Sequence, residues 1–465
     1  MTDAARDPGA AAPAPAPRPS GSGAAAGPGA PDVVVVGGGV AGLVAARDLA
    51  LAGRHVVVLE GGPRLGGEVA RHTVAGIDLD AGAESFATKG GTVAAFLGEL
   101  GLGDDVVLPD PRGAWVQHGA GEAFPLPRTG LLGIPGDLAA DDVLAVIGAE
   151  AAAEASRLDA APAEVGADET MVGPFVRARM GAAVLDRLVA PIVGGVHSVH
   201  PDALAVDRVA PALRAALLRE GSLAAAVRSV RALAPAGAAV AGVRGGMARL
   251  VDALVADLDR LGADVRLGAE VAAVDARSVT LATGEVLRPG HVLLAVGEGA
   301  ARALEGRPVA AGGLITLATV VLRDDRLDAG PRGTGVLVAP GAVGVRAKAL
   351  THGTVKWPWL AQAADGRHVL RLSYDSPVVD AGTPDDVLRG WALADASALL
   401  GVDLDERTVE GTARVVWSAP LPQEARPASS SPLDGVARVG GAVAGRGLAA
   451  VIARSRRVAG ELLGS

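Results

Sequence analysis

The sequence contains no cysteine in 465 residues. Disulfide bonds, thiol nucleophiles, cysteine-ligated iron–sulfur clusters and a cofactor attached through sulfur are therefore excluded. The eight histidines are scattered, and the closest pair, His197 and His200, lacks the helical spacing and the accompanying glutamate of a zinc motif. We therefore predict no metal site, and redox chemistry in this chain would require a bound organic cofactor.

Aromatic residues make up only 2% of the chain, and basic residues are almost all arginine: only Lys89, Lys348 and Lys356 are lysines. The net charge of −9 argues against a nucleic-acid-binding surface. No uninterrupted apolar run approaches the roughly 18 to 20 residues that a membrane-spanning helix needs. Residues 1 to 30 also lack the apolar centre of a signal peptide. We therefore expect a cytoplasmic protein with peripheral membrane contact at most.

A glycine motif near the N-terminus predicts a dinucleotide site. Four consecutive valines, 33 to 36, end in Gly37-x-Gly39-x-x-Gly42 and lead into a segment with apolar residues at helical spacing. Gly37 permits a tight turn, Gly39 lets the backbone approach a pyrophosphate, and Gly42 lets the helix pack closely on the strand. The next strand ends at Glu60, where a carboxylate accepts hydrogen bonds from ribose hydroxyls and disfavours a 2′-phosphate.

Further segments narrow this prediction to FAD. Glu60, the extension Arg64-x-Gly66-Gly67 and the following VAGIDLDAGAESF resemble the FAD half of flavin oxidoreductases of the amine-oxidase and protoporphyrinogen-oxidase superfamily. One position departs from that pattern, because the superfamily usually has Arg or Lys after the paired glycines and this chain has Glu68. We expect Glu68 to point to solvent, which leaves backbone amides and Arg64 to neutralise the pyrophosphate.

Composition and periodicity divide the chain into six parts, and the predicted fold class is α/β. A Rossmann-like FAD-binding domain is expected to carry an antiparallel-sheet substrate domain and a helical insertion. The parts are a disordered extension (1–30), the first part of the FAD-binding domain (31–92), the helical insertion (93–215), the second part of the FAD-binding domain (240–303), the antiparallel sheet (304–424), and a C-terminal strand, glycine loop and helix of the FAD-binding domain (425–465).

From residue 31 onward the chain resembles the oxygen-dependent protoporphyrinogen and coproporphyrinogen oxidases. The more specific matches are PLPRTGLLGIP (125–135), LDRLVAPIVGGVHSVHPDAL (185–204), VRGGMARLVDAL (243–254), VKWPWL (355–360) and APLPQ (419–423). The terminal AVAGRGLAAVI resembles that family's flavin-contacting loop and helix, although Val443 and Ala444 stand where the family has aromatic and acidic residues. The helix that opens at Gly445, Arg446, Gly447 and Leu448 has free N–H groups that would stabilise negative charge on the flavin.

The resemblance implies an FAD-dependent enzyme of haem biosynthesis that oxidises coproporphyrinogen III or protoporphyrinogen IX, with O2 as acceptor and hydrogen peroxide as product. It implies no catalytic side chain, because flavin N5 carries the chemistry and aromatisation of the macrocycle supplies much of the driving force. The expected FAD contacts are Gly37, Gly39, Val40, Ala41, Gly42, Glu60, Gly61, Arg64, Gly66, Gly67, Gly82, Ala83, Val271, Gly441, Gly445, Gly447 and Leu448. The expected substrate contacts are Lys89, Phe86, Arg128, Arg346 and Lys348, whose cations would neutralise the propionates of a flat tetrapyrrole.

Lys356 is interpreted as a surface lysine at a strand end, and Trp357 and Trp359 as packing residues.

Two other functions stay open at this point. An amine oxidase or carotenoid-type desaturase would use the same fold, although amine oxidases usually frame the flavin with aromatic side chains and this chain has one tyrosine, Tyr374, and four phenylalanines. A non-catalytic flavoprotein that delivers porphyrin to a chelatase of the haem pathway would be consistent with Glu68 and with the altered terminal loop.

Overall fold

The computed structural model describes residues 29–128, 130–197, 199–232, 240–309, 312–418, 433–445 and 447–464, and describes residues 196 and 197 by their backbone alone. The expected N-terminal extension, the APLPQ stretch and Arg446 therefore lie largely or wholly outside the described residues. The described strands are β1 (Val33–Val36), β2 (Val56–Glu60), β3 (Arg71–Val74), β4 (Ile77–Asp80), β5 (Phe86–Ala87), β6 (Val106–Val107), β7 (Trp115–Gly119), β8 (Glu122–Pro125), β9 (Val240–Val243), β10 (Asp264–Leu267), β11 (Val271–Asp275), β12 (Ser278–Leu281), β13 (Val286–Leu287), β14 (His291–Leu294), β15 (Leu314–Leu322), β16 (Gly335–Val338), β17 (Ala349–His352), β18 (His368–Asp375), β19 (Val409–Ser418) and β20 (Val436–Arg438).

Helices supply most of the remaining regular structure in those ranges. They are α1 (Val40–Leu51), α2 (Thr92–Glu99), α3 (Asp141–Ile147), α4 (Ala149–Asp159), α5 (Val172–Val184), α6 (Ala190–Ile192), α7 (Val206–Val209), α8 (Leu213–Glu220), α9 (Leu223–Ala232), α10 (Ala248–Arg260), α11 (Glu298–Leu304), α12 (Gly353–Lys356), α13 (Pro358–Ala364), α14 (Asp385–Leu400), α15 (Gly441–Ala444) and α16 (Leu448–Leu463).

A five-stranded parallel sheet, here the cofactor sheet, has the order β10-β2-β1-β14-β20. Val33 and Val35 of β1 point into a core shared with α1, α10 and α16, and Val34 and Val36 point into a second core shared with β12 and α11. Because both faces of the sheet are covered, the strand is apolar at every position rather than at alternate ones. The C-terminal β20 completes the sheet, so both ends of the described chain belong to one domain.

A seven-stranded sheet, here the substrate sheet, has the order β19-β15-β18-β17-β16-β7-β8. Its pairs are antiparallel except for β16 and β7, which run parallel. On one face Val320, Leu370 and Leu372 pack against α14. The opposite face carries Arg371 and faces the β3–β4 hairpin of the cofactor domain, as shown by contacts of Arg371 with the carbonyls of residues 80 and 82.

Helices α3 to α9 form a separate helical layer around one apolar core, with Phe175, Val176 and Leu213 fully buried in it. The sequence-based segment of 93–215 is therefore corrected at both ends. Residues 115–125 form the β7–β8 hairpin at the edge of the substrate sheet, and the helices run from Asp141 to Ala232. The two strands are short and WVQHG shows no clear alternation of apolar and polar residues, so its strand character was not visible beside the surrounding helical periodicity. The mixed architecture, parallel sheet, antiparallel sheet and helical insertion, confirms the predicted fold class.

Candidate active site

Three glycines build the turn between β1 and α1, and their surroundings differ. Gly37 has φ +110°, and a Cβ there would lie 2.6 Å from the Ala295 carbonyl oxygen. A Cβ at Gly42 would lie 2.0 Å from the Gly37 carbonyl oxygen, so only glycine allows this close packing of helix on strand. At Gly39 no atom of the described residues other than its chain neighbours lies within 4 Å of the Cβ position, and α1 begins at the next residue with the buried Val40 and Ala41. The N-terminus of α1 is therefore open on the side of Gly39, as pyrophosphate binding requires.

A second pair of glycines lies against this turn. Gly66 forms a parallel bridge with Gly39, and its N–H donates to the Gly38 carbonyl at 2.8 Å. A Cβ at Gly67 would lie 3.3 Å from the Cα of Gly39. The exposed Gly61 opens the loop that leads from β2 to this pair. The two glycine segments, which are separated in the sequence by β2 and the loop after it, therefore border the same opening.

Glu60 ends β2 beside the glycine turn. Its carboxylate accepts hydrogen bonds from the backbone N–H groups of Gly38 at 2.8 Å and Gly62 at 2.7 Å. These bonds hold the carboxylate at the carboxyl edge of the parallel sheet, where a ribose contact is expected. Val271 begins β11 near the same edge, because the N–H of Ala269 donates to the Glu60 carbonyl at 2.9 Å.

The chain's C-terminal arm returns to this opening. A Cβ at Gly440 would lie 3.8 Å from the Cβ of Ala41, in the first turn of α1. Among the described residues, and apart from chain neighbours, no atom lies within 4 Å of the Cβ positions of Gly441, Gly445 and Gly447. Gly445 and Gly447 have positive φ angles of +94° and +96°. Leu448 begins α16 directly after them. This loop is therefore open along several residues, which is the shape that a broad planar ring system needs.

Charge around the pyrophosphate position is sparse. Glu68 is exposed to solvent, as expected. Arg64 is also exposed, and its guanidinium donates to the Gly67 carbonyl at 3.1 Å and lies 5.8 Å from the centroid of the Trp417 ring. Arg64 thus lies at the rim of the opening. Neutralisation of a pyrophosphate would rest on Arg64 and the backbone N–H groups.

A buried ion cluster joins residues 80–84 to the substrate sheet, and the sequence did not reveal it. The Glu84 carboxylate pairs with Lys356 Nζ at 2.5 Å and with Arg371 Nη2 at 2.8 Å. Burial alone would raise the pKa of Glu84, but the charges of Arg371 and Lys356 outweigh it and lower the pKa to about 2. Lys356 is therefore a buried ion-pair partner and not a surface lysine. A signal was available in HVLRLSYDS, where Arg371 interrupts an apolar strand and so required a buried partner.

Asp80 lies next to this cluster and is partly buried. One of its oxygens accepts a hydrogen bond from the Ala248 N–H at 3.3 Å, in the first turn of α10. Burial raises the pKa of Asp80 to about 6, against the opposing effects of the backbone donors Met247 and Ala248 and of Arg371. The pKa of Asp80 therefore lies above the ordinary range of carboxyl groups.

The segment between Asp80 and Glu84 carries two of the predicted FAD contacts. A Cβ at Gly82 would lie 2.0 Å from the Glu68 carbonyl oxygen, and the Ala83 N–H donates to that same oxygen at 3.1 Å. Gly82 and Ala83 are thereby packed against the residue that follows the Gly66–Gly67 pair. The structure brings both glycine segments and this segment together.

Phe86, in contrast, lies in the hydrophobic core. It is 4% exposed, pairs with Ala241 in the small sheet of β5 and β9, and packs in the core beneath the cofactor sheet. The expectation that Phe86 contacts substrate is therefore corrected. Its aromatic ring fills core volume, which is the commoner use of a phenylalanine beside a strand.

The four predicted cations have different surroundings. Lys89 lies exposed in the turn after β5 and makes no ion pair among the described residues. Arg128 is exposed after β8, with its backbone N–H donating to Asp142 at 3.0 Å. Lys348 pairs with Asp375 at 2.5 Å. The Arg346 guanidinium lies 4.9 Å from the ring centroid of Trp391 on α14, which directs it toward the α14 side of the sheet and away from the cofactor domain.

Within the described ranges, no group of three or more His, Asp or Glu side chains is placed to hold a metal ion. The same part of the chain contains no helix with the length and apolar character that crossing a membrane requires. The groups placed at the opening are glycine backbone, the Glu60 carboxylate and a helix N-terminus. That donor set and the open cradle at Gly39, Gly441, Gly445 and Gly447 fit FAD.

Known proteins are similar to this chain in sequence. A family model for flavin containing amine oxidoreductases matches residues 40–432. The coproporphyrinogen III oxidase of Mycobacterium leprae (strain TN) is 33% identical over 395 residues, which span 80% of this chain and 84% of the relative. The coproporphyrinogen III oxidase of Propionibacterium freudenreichii subsp. freudenreichii is 27% identical over 418 residues, which span 80% of this chain and 77% of that one.

Solved structures agree on the fold. A protein from Exiguobacterium sp. 255-15 that is assigned as a protoporphyrinogen oxidase superposes with a TM-score of 0.79 at 24% identity, over 93% of this chain and 99% of that one. Putrescine oxidase superposes with a lower TM-score of 0.64 at 17% identity, over 94% and 99% of the two chains. With the cradle, the family match and these relatives together, the chain belongs to the porphyrinogen oxidase family of the flavin-containing amine oxidoreductases, and its cofactor is FAD.

Proposed function

We propose that this protein oxidises coproporphyrinogen III to coproporphyrin III, with O2 as the acceptor and hydrogen peroxide as the second product. The observation that carries the proposal is the 33% identity to a coproporphyrinogen III oxidase over 80% of the chain. Protoporphyrinogen IX is the second candidate substrate, because a chloroplastic protoporphyrinogen oxidase of Oryza sativa subsp. japonica is 30% identical over 51% of this chain. A chelatase of the haem pathway is the expected consumer of the porphyrin.

Each round of oxidation removes a hydride from a bridging carbon of the macrocycle and a proton from a pyrrole nitrogen. Bound FAD supplies the hydride acceptor, and O2 restores it. The protein's part is to hold a flat apolar macrocycle in register with the ring system and to exclude competing reactions. No described side chain is needed as a strong base, because the product gains aromatic stabilisation.

Lys89 is the first candidate for a propionate contact. It is exposed and has no competing carboxylate partner among the described residues, whereas Lys348 would first have to leave Asp375. Arg128 is the second candidate, since its guanidinium is also exposed. An exposed ammonium gains little from a surface carboxylate in water, but gains more when a bound macrocycle excludes water from the pair.

The direct test is a comparison of substrates. Purified, FAD-saturated protein is mixed with coproporphyrinogen III, protoporphyrinogen IX or putrescine, and porphyrin fluorescence and hydrogen peroxide are followed with and without O2. We expect O2-dependent fluorescence with coproporphyrinogen III and one peroxide for each hydride removed. Peroxide from putrescine without any porphyrin would favour an amine oxidase. FAD retention without turnover of any substrate would favour a non-catalytic carrier.

Replacing Lys89→Met tests the propionate contact. We expect KM for coproporphyrinogen III to rise by about tenfold with kcat little changed, because a uniform binding contact is lost. Lys89→Arg keeps the charge and should recover most of the affinity. An unchanged KM in Lys89→Met would show that Lys89 does not contribute to substrate binding.

A further inference from the structure

Two side chains of the substrate sheet, Arg371 and Trp417, hold the backbone at the start of the segment from Ala81 to Ser85. Arg371 Nη1 donates to the Gly82 carbonyl at 2.9 Å and to the Asp80 carbonyl at 3.3 Å. The indole N–H of Trp417 donates to the Ala81 carbonyl between them at 3.1 Å. Three successive backbone carbonyls are therefore oriented by two side chains of strands β18 and β19.

Glu84 completes this attachment through its side chain. Its two oxygens bind different cations, Lys356 at the end of α12 and Arg371 on β18. All three side chains are between 16% and 18% exposed, so the charges are largely removed from water. A carboxylate in such a place is stabilised only while both partners keep their positions.

The surroundings leave the cluster little room to rearrange. The cavity bordered by Asp80, Glu84 and Arg371 has a volume of only about 30 Å³, and Trp357 and Leu360 close it from the side of α12 and α13. Asp80 connects the same site to the N-terminus of α10. The segment is thus fixed on one side by the substrate sheet and on the other by the cofactor domain.

We propose that Glu84 is a positioning residue for FAD, with Lys356 and Arg371 as the groups that hold it. The Ala81–Ser85 segment carries the predicted FAD contacts Gly82 and Ala83, so the cluster sets where these backbone atoms lie relative to the face of the substrate sheet. The inference rests on FAD as the cofactor and is independent of which porphyrinogen is oxidised. The positioning role of Glu84 and the identity of the substrate can therefore be tested separately.

The chain offers a matched control in Arg367. Arg367 precedes β18, is 18% exposed like Arg371, and donates to two backbone carbonyls, those of Ala364 at 2.6 Å and Ala75 at 2.7 Å. It therefore joins the same sheet to the same hairpin, but at the hairpin's tip rather than at the Ala81–Ser85 segment. Its replacement measures the cost of losing such a link without disturbing Gly82 and Ala83.

The experiment compares Glu84→Gln, Lys356→Met, Arg371→Met and Arg367→Met. For each, the Kd for FAD is measured by fluorescence titration of the apoprotein, the visible absorption spectrum of bound flavin is recorded, and thermal unfolding of the apoprotein is followed. We expect the first three variants to raise the Kd by about tenfold or more and to alter the shape of the flavin spectrum. Arg367→Met should lower Tm while leaving the Kd within about twofold and the spectrum unchanged.

Two more variants separate positioning from stability. In the double variant Glu84→Gln with Lys356→Met the effects on Kd should be strongly non-additive, because the two residues act as one unit. Glu84→Asp keeps the charge and the fold but withdraws the carboxylate by one methylene, and it should still raise the Kd and alter the spectrum. If Glu84→Asp and Lys356→Met lower Tm but bind FAD with the parent Kd and spectrum, the cluster is a purely structural link and the proposal is wrong. If Lys356→Met cannot be folded, the result for Glu84→Asp decides alone.

Discussion

Glycines 37, 39 and 42 serve different purposes in the same turn, and the space beside each one shows this. Gly42 has a backbone oxygen 2.0 Å from its Cβ position, whereas Gly39 has no atom within 4 Å of its own from the part of the chain that the structure describes, chain neighbours apart. Gly39 has φ −71°, which an alanine adopts without strain. The free space at Gly39 is therefore not needed by the protein itself, and we assign it to the cofactor.

Replacing Gly39→Ala should therefore separate FAD binding from folding. We expect the apoprotein to keep its Tm within about two degrees, because the new methyl group meets no protein atom, while FAD affinity falls by about tenfold or more. Gly42→Ala should instead lower Tm strongly, since something must shift to relieve the contact with Gly37. Thermal unfolding of the apoproteins and FAD titration measure both effects, and equal losses of Tm in the two variants would contradict this assignment.

Asp80 is expected to make the protein less stable as pH rises. Burial raises its pKa from 3.8 to about 6 in the folded state, so the folded protein holds a proton that the unfolded chain has released. The resulting stability is complete below the unfolded pKa and is lost as pH rises through the folded pKa. Asp80→Asn, which keeps an oxygen acceptor for the Ala248 N–H, should be more stable than the parent at about pH 8, on the order of 1–3 kcal/mol, and equal to it at about pH 4. Urea unfolding of both proteins at both pH values checks this. If the parent is at least as stable as Asp80→Asn at about pH 8, the prediction is wrong.

At the scale of elements, the helical layer depends on one buried carboxylate. Asp159 ends α4 and accepts hydrogen bonds from the Leu223 N–H at 2.7 Å and the Ala224 N–H at 2.9 Å, so it caps the first turn of α9. It also pairs with Arg179, whose side chain is fully buried, at 3.2 Å. One side chain thus joins the end of α4, the middle of α5 and the start of α9.

Asp159→Ala should destabilise this layer by about 3–5 kcal/mol, because it leaves the Arg179 charge buried without its partner and removes a helix cap. Urea unfolding measures the loss, and hydrogen exchange should place the largest change in α9. Arg187→Met is the control, since Arg187 pairs with Glu122 at 2.6 Å but both side chains are partly exposed. That variant should cost less than about 1 kcal/mol. A similar cost in both variants would mean that the burial of the Asp159 pair has no special importance.

At the scale of the whole molecule, the two ends of the described chain meet in the cofactor domain. Helix α16 packs beside α1, and Arg456 of α16 pairs with Asp48 of α1 at 3.1 Å and with Glu99 of α2 at 2.7 Å. The glycine loop before α16 lies at the opening formed by the first turn of α1. We therefore expect the FAD site to be complete only when the glycine loop and α16 have packed beside α1.

Deletion of residues 433–465 should consequently abolish FAD retention, whereas deletion of residues 1–28 should leave it intact. The first deletion removes β20, the open glycine loop and α16 together. The ratio of flavin absorbance to protein absorbance after gel filtration measures retention in each case. A yellow, FAD-saturated protein that lacks residues 433–465 would show that the C-terminal arm is dispensable for the cofactor.

Local sequence patterns were sufficient to predict the secondary structure around the cofactor site. The valines before Gly37, the glycine spacing and Glu60 are neighbours in sequence, and strand, turn and helix follow from short-range sterics and hydrogen bonding. The same reasoning predicted the parallel sheet, the antiparallel strands and the helical insertion. It assigned the β7–β8 hairpin to the helical insertion, because two short strands carry little periodicity.

Only the tertiary structure decided what the charged residues do. Arg371 interrupts an apolar strand, which indicates that it has a buried partner, but no local pattern shows that this partner is Glu84 or that Lys356 joins the pair. The register of β18 against its neighbours and the approach of the β3–β4 hairpin bring them within hydrogen-bond distance, and burial then makes each dependent on the others. Phe86 entered the core and Arg346 turned toward α14 for the same reason: a side chain's surroundings are set by packing between distant segments, which no spacing along the chain encodes.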